Sequence, residues 1–274
     1  MKILKNKILW FTLYGIFITV VFLYLLFPSD IARSRLEAAV NSSDFILKMD
    51  SLRPALPFGF KMKNINVSSS PENIYFQGDL LDLQFSPFSY FQKNKYIGLS
   101  GSAYGGNFSG SLGLTSFSKI YPPEKGNLKF ENIDLARYAF IKTLMGREVT
   151  GRASGNWTHA FNSNGPGRNL SGTIALFLTK GTYSLTEPFL GLNRIDFDRG
   201  EIHAQIKDGV IRLEKLQISG PQVDCFLSGG ITLADDFKLS QLNLNGEMAI
   251  SENKKVKMKI TIGGTLVNPV FRYI

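Results

Sequence analysis

The sequence predicts a mainly β protein in which a single N-terminal membrane helix precedes an elongated, curved and mostly antiparallel sheet with one or two short helices. Three observations support this fold class. Residues 8–27 form an uncharged apolar run, hydrophobic residues alternate with polar ones from Phe45 onward, and glycine recurs within the alternating stretches. Alternation with a period of two is typical of strands that bury one face. Glycine inside such strands indicates bends or close backbone approach, which favours a curved sheet.

The run from Ile8 to Phe27 contains no charged residue. Twenty helical residues at about 1.5 Å each reach roughly 30 Å, the thickness of the hydrocarbon core of a bilayer. A cleavable signal peptide has a shorter apolar core and a small-residue cleavage site, and neither is present around Phe27-Pro28-Ser29. The sequence therefore favours a retained anchor over a signal peptide or a buried helix of a soluble protein. The predicted anchor residues are Ile8, Trp10, Phe17, Val21 and Phe27.

The charges that flank this run predict its orientation. Lys2, Lys5 and Lys7 precede it without an acidic neighbour, whereas Arg33 and Arg35 share their segment with acidic residues. Positive charge marks the cytoplasmic side of a membrane helix. We therefore expect a cytoplasmic tail at 1–7, a transmembrane helix at 8–27, a juxtamembrane helix within 28–44 and an exported β-rich domain at 45–274. In a bacterium this arrangement is an inner-membrane protein with a periplasmic domain.

Composition limits the functions that the exported domain can have. A single cysteine, Cys225, excludes an intramolecular disulfide, and its place in an alternating run predicts a buried strand residue. The formal charge is +9, but no dense basic cluster with interleaved aromatic residues indicates nucleic-acid binding. The domain is therefore expected to depend on its own apolar core.

The strands are clearest in the last third of the chain. Asp208-Gly209 suits a tight hairpin turn between two alternating runs, and the return run changes phase at Glu214-Lys215, which predicts a β-bulge. An apolar residue, a small polar residue and glycine recur in six places, which predicts close backbone approach or bending there. These tripeptides begin at Leu99, Phe108, Val149, Leu170, Leu227 and Leu244.

Helices are predicted at three places in the exported part. A helix from Asp30 to Asn41 would be capped by Ser29 or Asp30, and it would either join the anchor to the domain or lie on the membrane surface. A second helix is predicted from Asn132 to Gly146, with Gly146 as its terminator. Pro87 suits the first position of a shorter helical turn before Lys93. The Gly- and Asn-rich segment 162–169 predicts a soft boundary or a hairpin tip.

Residues that carry enzymatic chemistry are not arranged in recognisable motifs. His159 and His203 have no ligand-like neighbour three or four residues away, whereas a metal site needs about three or four convergent ligands. The acidic pairs Asp196/Asp198 and Asp235/Asp236 are interpreted as turn residues that satisfy backbone groups. The sequence thus predicts no catalytic, cofactor-binding or metal-binding residues, and we expect that the protein is not an enzyme.

Several segments resemble a known family. Ser86-Pro87-Phe88 followed by a strand at 96–103 and the hairpin Gly105 to Phe108, together with the unit from Gly126 to Gly151, is similar to the repeating unit of AsmA-like envelope proteins. The single anchor, the segment from Ile31 to Glu37 and the ending Gly263 to Arg272 resemble the type II secretion system protein N (GspN) family.

This resemblance implies a non-enzymatic inner-membrane component of a type II secretion apparatus, with other envelope components of that apparatus as partners and no nucleic acid. It also implies an AsmA-like open groove or half-barrel. The alternative is a periplasmic lipid-binding or lipid-transfer protein whose apolar sheet side holds acyl chains. Such a groove would be lined by Ile174, Leu176, Leu178, Val256, Met258 and Ile260, whereas a scaffold would pack these residues against Phe140 and Leu144.

Overall fold

A computed structural model describes residues 7–41, 45–69, 74–86, 95–114, 124–161, 170–189, 192–250 and 256–273. The described chain is mainly β, as predicted, with one large antiparallel sheet. The helices are α1 (Lys7–Leu25), α2 (Ser29–Val40) and α3 (Ala139–Met145), and two 3₁₀ turns cover Leu135–Arg137 and Phe237–Leu239.

Within the described ranges the sheet contains fifteen strands. They are β1 (Ile46–Lys48), β2 (Ser51–Ala55), β3 (Gly59–Ser68), β4 (Ile74–Phe85), β5 (Lys95–Ala103), β6 (Gly106–Leu114), β7 (Lys125–Asp134), β8 (Arg152–Phe161), β9 (Leu170–Phe189), β10 (Leu192–Lys207), β11 (Val210–Ser219), β12 (Val223–Thr232), β13 (Gln241–Ile250), β14 (Val256–Gly264) and β15 (Pro269–Tyr273). From β3 onward each strand pairs antiparallel with the next, whereas β1 and β2 both pair with β3. A meander of this kind follows from short connections between consecutive strands.

The predicted hairpin between β10 and β11 is confirmed. Asp208 and Gly209 form its turn with φ angles of 50° and 77°, the left-handed conformation that Asp and Gly tolerate in a two-residue turn. The predicted bulge is also present, because His203 pairs with Lys215 while Ala204 pairs with Leu213. Glu214 is the extra residue.

The segment around Asn132 differs from the prediction. The helix predicted from Asn132 to Gly146 is wrong in its first half, since β7 continues to Asp134, which pairs with Arg152 of β8. The apolar spacing was that of a helix, but pairing with β8 satisfies the same backbone groups in the strand. The Asp134 carboxylate accepts a hydrogen bond from the Ala136 N–H (3.0 Å) and so caps the 3₁₀ turn. Gly146 ends α3 in the left-handed conformation, as predicted.

Helix α2 confirms the predicted helix after residue 28 and joins α1 to the sheet. Neither Ser29 nor Asp30 is its N-cap, because Pro28 occupies that position and makes no side-chain cap bond. Its polar side chains bond the edge of the sheet: Glu37 Oε1 accepts from Met49 N (2.9 Å) and Asn41 Oδ1 from Leu47 N (2.7 Å). An edge strand exposes unpaired backbone groups that could recruit another chain. Helix α2 therefore covers the edge formed by β1.

Two predictions fall on residues outside the described ranges. The helical turn predicted from Pro87 to before Lys93 is one of them, and the segment 162–169 is the other. The strands on either side of 162–169 pair directly, Phe161 with Leu170, so β8 and β9 belong to one continuous sheet.

Candidate functional site

The most extensive candidate surface is the apolar face of the sheet, which we define by two rows of residues that lie opposite one another on successive strands. The first row runs through Leu83, Leu99, Gly110, Leu128, Trp157, Ile174, Ala204, Leu213, Gly229, Leu244, Ile262 and Phe271. The second runs through Leu81, Gly101, Phe108, Phe130, Gly155, Leu176, Ile202, Leu216, Leu227, Gly246, Ile260 and Tyr273. At about 4.8 Å between strands, twelve strands extend the apolar face over roughly 50 Å.

Glycines interrupt both rows, and most of them stand where a side chain would collide with the next strand. A Cβ on Gly110 would fall against the Asn127 carbonyl, and one on Gly155 against the Ala175 carbonyl. The predicted close approach of strands at the recurring tripeptides is therefore confirmed. The glycines also leave room beside the large side chains that lie opposite them, such as Leu99 beside Gly110.

The C-terminal part of the apolar face, from β10 to β15, is filled by its own side chains. Val223 and Ile260 are 0 % and 1 % exposed, and they pack in one core with Leu213, Leu227, Leu244 and Met248. Cys225 lies in this core as predicted, and burial raises the pKa of its thiol to about 12. This half is a packed core rather than an open groove.

The central part of the apolar face, from β5 to β9, is more open. Leu99, Leu112, Leu128, Leu176 and Leu178 are all half-buried rather than buried. The Trp157 ring lies among them and stacks on His159, with ring centroids 4.8 Å apart. This stretch combines a run of apolar side chains with partial exposure, and we call it the central trough.

An aromatic cluster lies beside the N-terminal end of the trough, where its Phe76 ring contacts Phe108 of β6 at 5.9 Å. Phe76, Tyr104, Tyr138, Phe140 and Tyr75 contact one another in that order, with ring centroids between 4.8 and 6.1 Å apart. The Tyr104 hydroxyl accepts a hydrogen bond from Gln77 N (2.6 Å), and burial raises its pKa to about 12. Sequence analysis did not identify this cluster, because its members come from three separate segments and share no spacing.

The segment 135–147 links parts of the sheet that are distant in strand order. The ring of Phe140 in α3 contacts Tyr75 of β4, at 5.5 Å between centroids. Buried Arg147 donates to the Tyr183 hydroxyl (3.0 Å) and to the Val267 carbonyl (2.9 Å), which lies in the turn between β14 and β15. One short segment thus connects β4, β9 and the last hairpin.

The six residues predicted to line a groove divide into two groups. Ile174 and Met258 pack against the C-terminal core and Ile260 belongs to it, so these three do not line an open cavity. Leu176 and Leu178 border the central trough. The side chain of Val256 lies outside the described residues. The scaffold alternative places these residues against Phe140 and Leu144. Phe140 packs in the aromatic cluster, and the side chain of Leu144 lies outside the described residues.

The predicted anchor residues lie on and just beyond α1. Trp10, Phe17 and Val21 are 54 %, 65 % and 37 % exposed, and nearly all the large apolar side chains of α1 are exposed with them. The helix ends at Leu25, two residues earlier than predicted, and the Phe27 ring instead contacts Phe60 of β3 at 6.1 Å. The side chain of Ile8 lies outside the described residues.

Over the described residues no single helix has both the length and the hydropathy of a membrane span, whereas the stretch Leu9–Leu25 and helix Ser29–Val40, bent by 69° relative to each other, have them together.

The opposite face of the sheet, which we call the polar face, carries polar and charged side chains that form hydrogen bonds with one another. Glu201 accepts hydrogen bonds from Lys215 (2.6 Å) and shares a 2.8 Å contact with His203, and these two partners lower the pKa of its carboxyl. A shallow groove of about 400 Å³ crosses β4 to β7, where Ser111 and Asn127 bond each other twice at 3.0 Å. Such mutual pairing is typical of a solvated strand surface.

Among the described residues, no three His, Cys, Asp or Glu side chains stand close enough to hold a metal ion. Asp236 accepts from Lys238 N (3.1 Å) at a turn, as predicted for the acidic pairs. The prediction of a turn is wrong for Asp196, which lies within β10 and forms an ion pair with Arg194 (3.1 Å).

Comparisons of the chain with protein-family models, with curated proteins and with solved structures found no match.

Proposed function

We propose that this protein is a non-enzymatic envelope protein, anchored in the bacterial inner membrane by α1, whose periplasmic sheet binds other components of a type II secretion apparatus. The observation that carries the proposal is the combination of an apolar helix exposed along its length with one long sheet that presents a single apolar face. The role in secretion comes from the sequence resemblance to the GspN family.

Helix α1 supports the anchor. A helix that is apolar on all sides is stable either in a protein core or in a bilayer. The large side chains of α1 are not covered by the described part of the chain: Phe11, Leu23 and Leu25 are 73 %, 68 % and 70 % exposed. A contiguous apolar surface of this size requires a covering, and a bilayer provides it. The helix of 19 residues is about 29 Å long, close to the hydrocarbon thickness.

The sheet supports a curved body that binds rather than catalyses. Arg147 connects the segment after α3 to the β14–β15 turn although those elements are far apart in strand order, and this contact supports a coiled sheet such as a half-barrel. Binding surfaces of this kind need shape and apolar area rather than convergent titratable groups.

Deletion of the gene tests the secretion role. We expect exoproteins to accumulate in the periplasm of the deletion strain and to be exported again when the full-length protein is supplied. As a matched control, the deletion strain is supplied with the Phe226→Ser variant, in which an exposed side chain on the polar face of β12 is changed. Normal export in the deletion strain would contradict the proposal.

Lipid binding is the second candidate function, and the half-exposed central trough is the observation that favours it. Its apolar side chains form a surface several strands wide that is continuous between the aromatic cluster and the C-terminal core. Acyl chains are the ligands that such a surface would accept. An acyl chain covers the apolar side chains of the trough, and it has no polar group that would be left without a hydrogen-bond partner.

Substitutions at two neighbouring residues distinguish lipid binding in the trough from lipid binding on the opposite face of the sheet. Leu176→Gln places an amide in the trough, whereas Phe177→Gln changes the 49 % exposed neighbour that points to the opposite face. If lipid occupies the trough, native mass spectrometry of the full-length protein extracted in detergent should show bound phospholipid for the wild type and for Phe177→Gln but not for Leu176→Gln. A lipid-free wild type would favour the scaffold.

A further inference from the structure

The turn between β2 and β3 exposes an apolar tip. Leu56 and Phe58 are 65 % and 56 % exposed, and Pro57 between them is exposed as well. The turn is not a loose loop, because the Phe58 carbonyl accepts a hydrogen bond from Phe85 N (2.8 Å). Its two apolar side chains are therefore held on the outside of the hairpin.

This tip lies beside the end of α1. Phe27, which follows α1, contacts Phe60 with ring centroids 6.1 Å apart, and Phe60 in turn contacts Phe85 at 6.0 Å. Phe58 and Phe60 lie two residues apart on the same hairpin, about 7 Å between their Cα atoms, so the tip adjoins the residue that contacts Phe27. The interfacial layer on one side of a bilayer is about 5–8 Å deep.

Basic residues stand directly behind the tip. Arg53 and Lys61 are paired across the hairpin, and both side chains are exposed. Lys61 forms an ion pair with Asp82 (3.6 Å) that leaves its side chain 54 % exposed, and anionic lipid headgroups would attract both basic side chains. An apolar tip with basic residues behind it is the arrangement found where protein segments enter a membrane interface.

We propose that the turn Leu56–Phe58 is a second membrane contact, inserted into the headgroup layer of the leaflet at the periplasmic end of α1. This inference rests on the proposed anchor. A single helix allows the exported domain to rotate relative to the bilayer, whereas two contacts joined by the Phe27–Phe60 packing fix one end of the sheet against the membrane surface.

Three phenylalanine-to-cysteine variants of the full-length protein test this contact. Phe17→Cys reports on α1, Phe58→Cys on the turn, and Phe226→Cys on a similarly exposed phenylalanine of β12 that serves as control. Each is labelled with an environment-sensitive fluorophore in vesicles of phosphatidylethanolamine and phosphatidylglycerol that contain nitroxide-labelled lipids. The unsubstituted chain controls for labelling of buried Cys225.

The expected result is a loss of emission at residue 58 with nitroxides near the headgroup, a loss at residue 17 with nitroxides deep in the bilayer, and no loss at residue 226. Quenching at 17 without quenching at 58 overturns the second contact and leaves the anchor intact. Absence of quenching at 17 overturns the anchor and the second contact together. Emission at 58 that is blue-shifted but unquenched shows burial against protein and also overturns the inference. Leu56→Cys repeats the measurement if Phe58→Cys does not fold.

Discussion

Replacing Gly246 with alanine should destabilise the sheet, although Gly246 has no unusual backbone conformation. A Cβ at this position would meet the Phe226 carbonyl carbon at 2.8 Å and the Leu227 Cα at 2.9 Å, both of which are backbone atoms. A rotamer change cannot relieve such a contact, so the two strands must move apart. Overpacking of this kind costs about 1–3 kcal/mol.

Gly230 provides the matched control on the neighbouring strand. The nearest atom to a Cβ there is Val210 Cγ1 at 4.0 Å, an ordinary van der Waals contact. Alanine in a strand interior is more favourable than glycine by about 0.5–1 kcal/mol, because the unfolded chain loses less entropy on folding. The two substitutions should therefore change stability in opposite directions.

Thermal unfolding of the full-length protein in detergent, followed by circular dichroism, measures this difference. For a domain of this size about 1 kcal/mol corresponds to roughly 2–4 °C in Tm. We expect Gly246→Ala to lower Tm by about 2–12 °C and Gly230→Ala to raise it by about 1–4 °C. Equal Tm values for the two variants would refute the view that glycines are required where strands approach closely.

Three further predictions concern the core, the segment 135–147 and alkaline pH. Ile260→Ala, which empties a 1 % exposed site, should lower the free energy of unfolding by about 3 kcal/mol in a urea titration, and a loss below about 1 kcal/mol would show that the C-terminal half is loosely packed. Arg147→Met removes hydrogen bonds to Tyr183 and Val267, so amide exchange in the β14–β15 turn should accelerate while exchange in the distant β2–β3 hairpin should not. Burial raises the pKa of Tyr104 from 10.0 to about 12 and that of Cys225 from 9.0 to about 12, and the unfolded chain therefore loses these protons first. Stability should fall as the pH rises from about 9 to about 12, and Tyr104→Phe should make that fall shallower above pH 10; an unchanged slope would contradict the assignment.

Strands and turns were readable from the sequence because they depend on local patterns. Alternation at Val223, Cys225 and Leu227 indicates which side of the strand is buried. Asp208-Gly209 predicts a two-residue turn that few other residue pairs can form. The helix predicted from Asn132 failed for the opposite reason. Ile133, Ala136 and Phe140 have an apolar spacing that suits a helix, but the partner that keeps residues 132–134 extended is β8. This strand begins at Arg152 and so lies outside any local window.

The candidate site was less predictable than the fold. Alternation identifies Ile174, Leu176, Met258 and Ile260 as members of one apolar face, yet it does not distinguish a filled position from an open one. That distinction depends on how far the sheet coils and on what lies across from each residue. Ile260 is buried because strands β10 to β15 pack their side chains together, whereas Leu176 stays half-exposed in the central trough.

The sequence by itself determined that this protein has an uncharged apolar segment at its N-terminus and an antiparallel sheet with one apolar face, because hydrophobic periodicity and turn chemistry act over a few residues. Only the tertiary structure decided which half of that face is packed, that α2 covers the β1 edge, and that Phe27 contacts Phe60 beside an exposed apolar turn. These features join residues that are distant in the chain, and their energies depend on three-dimensional packing rather than on neighbours in sequence.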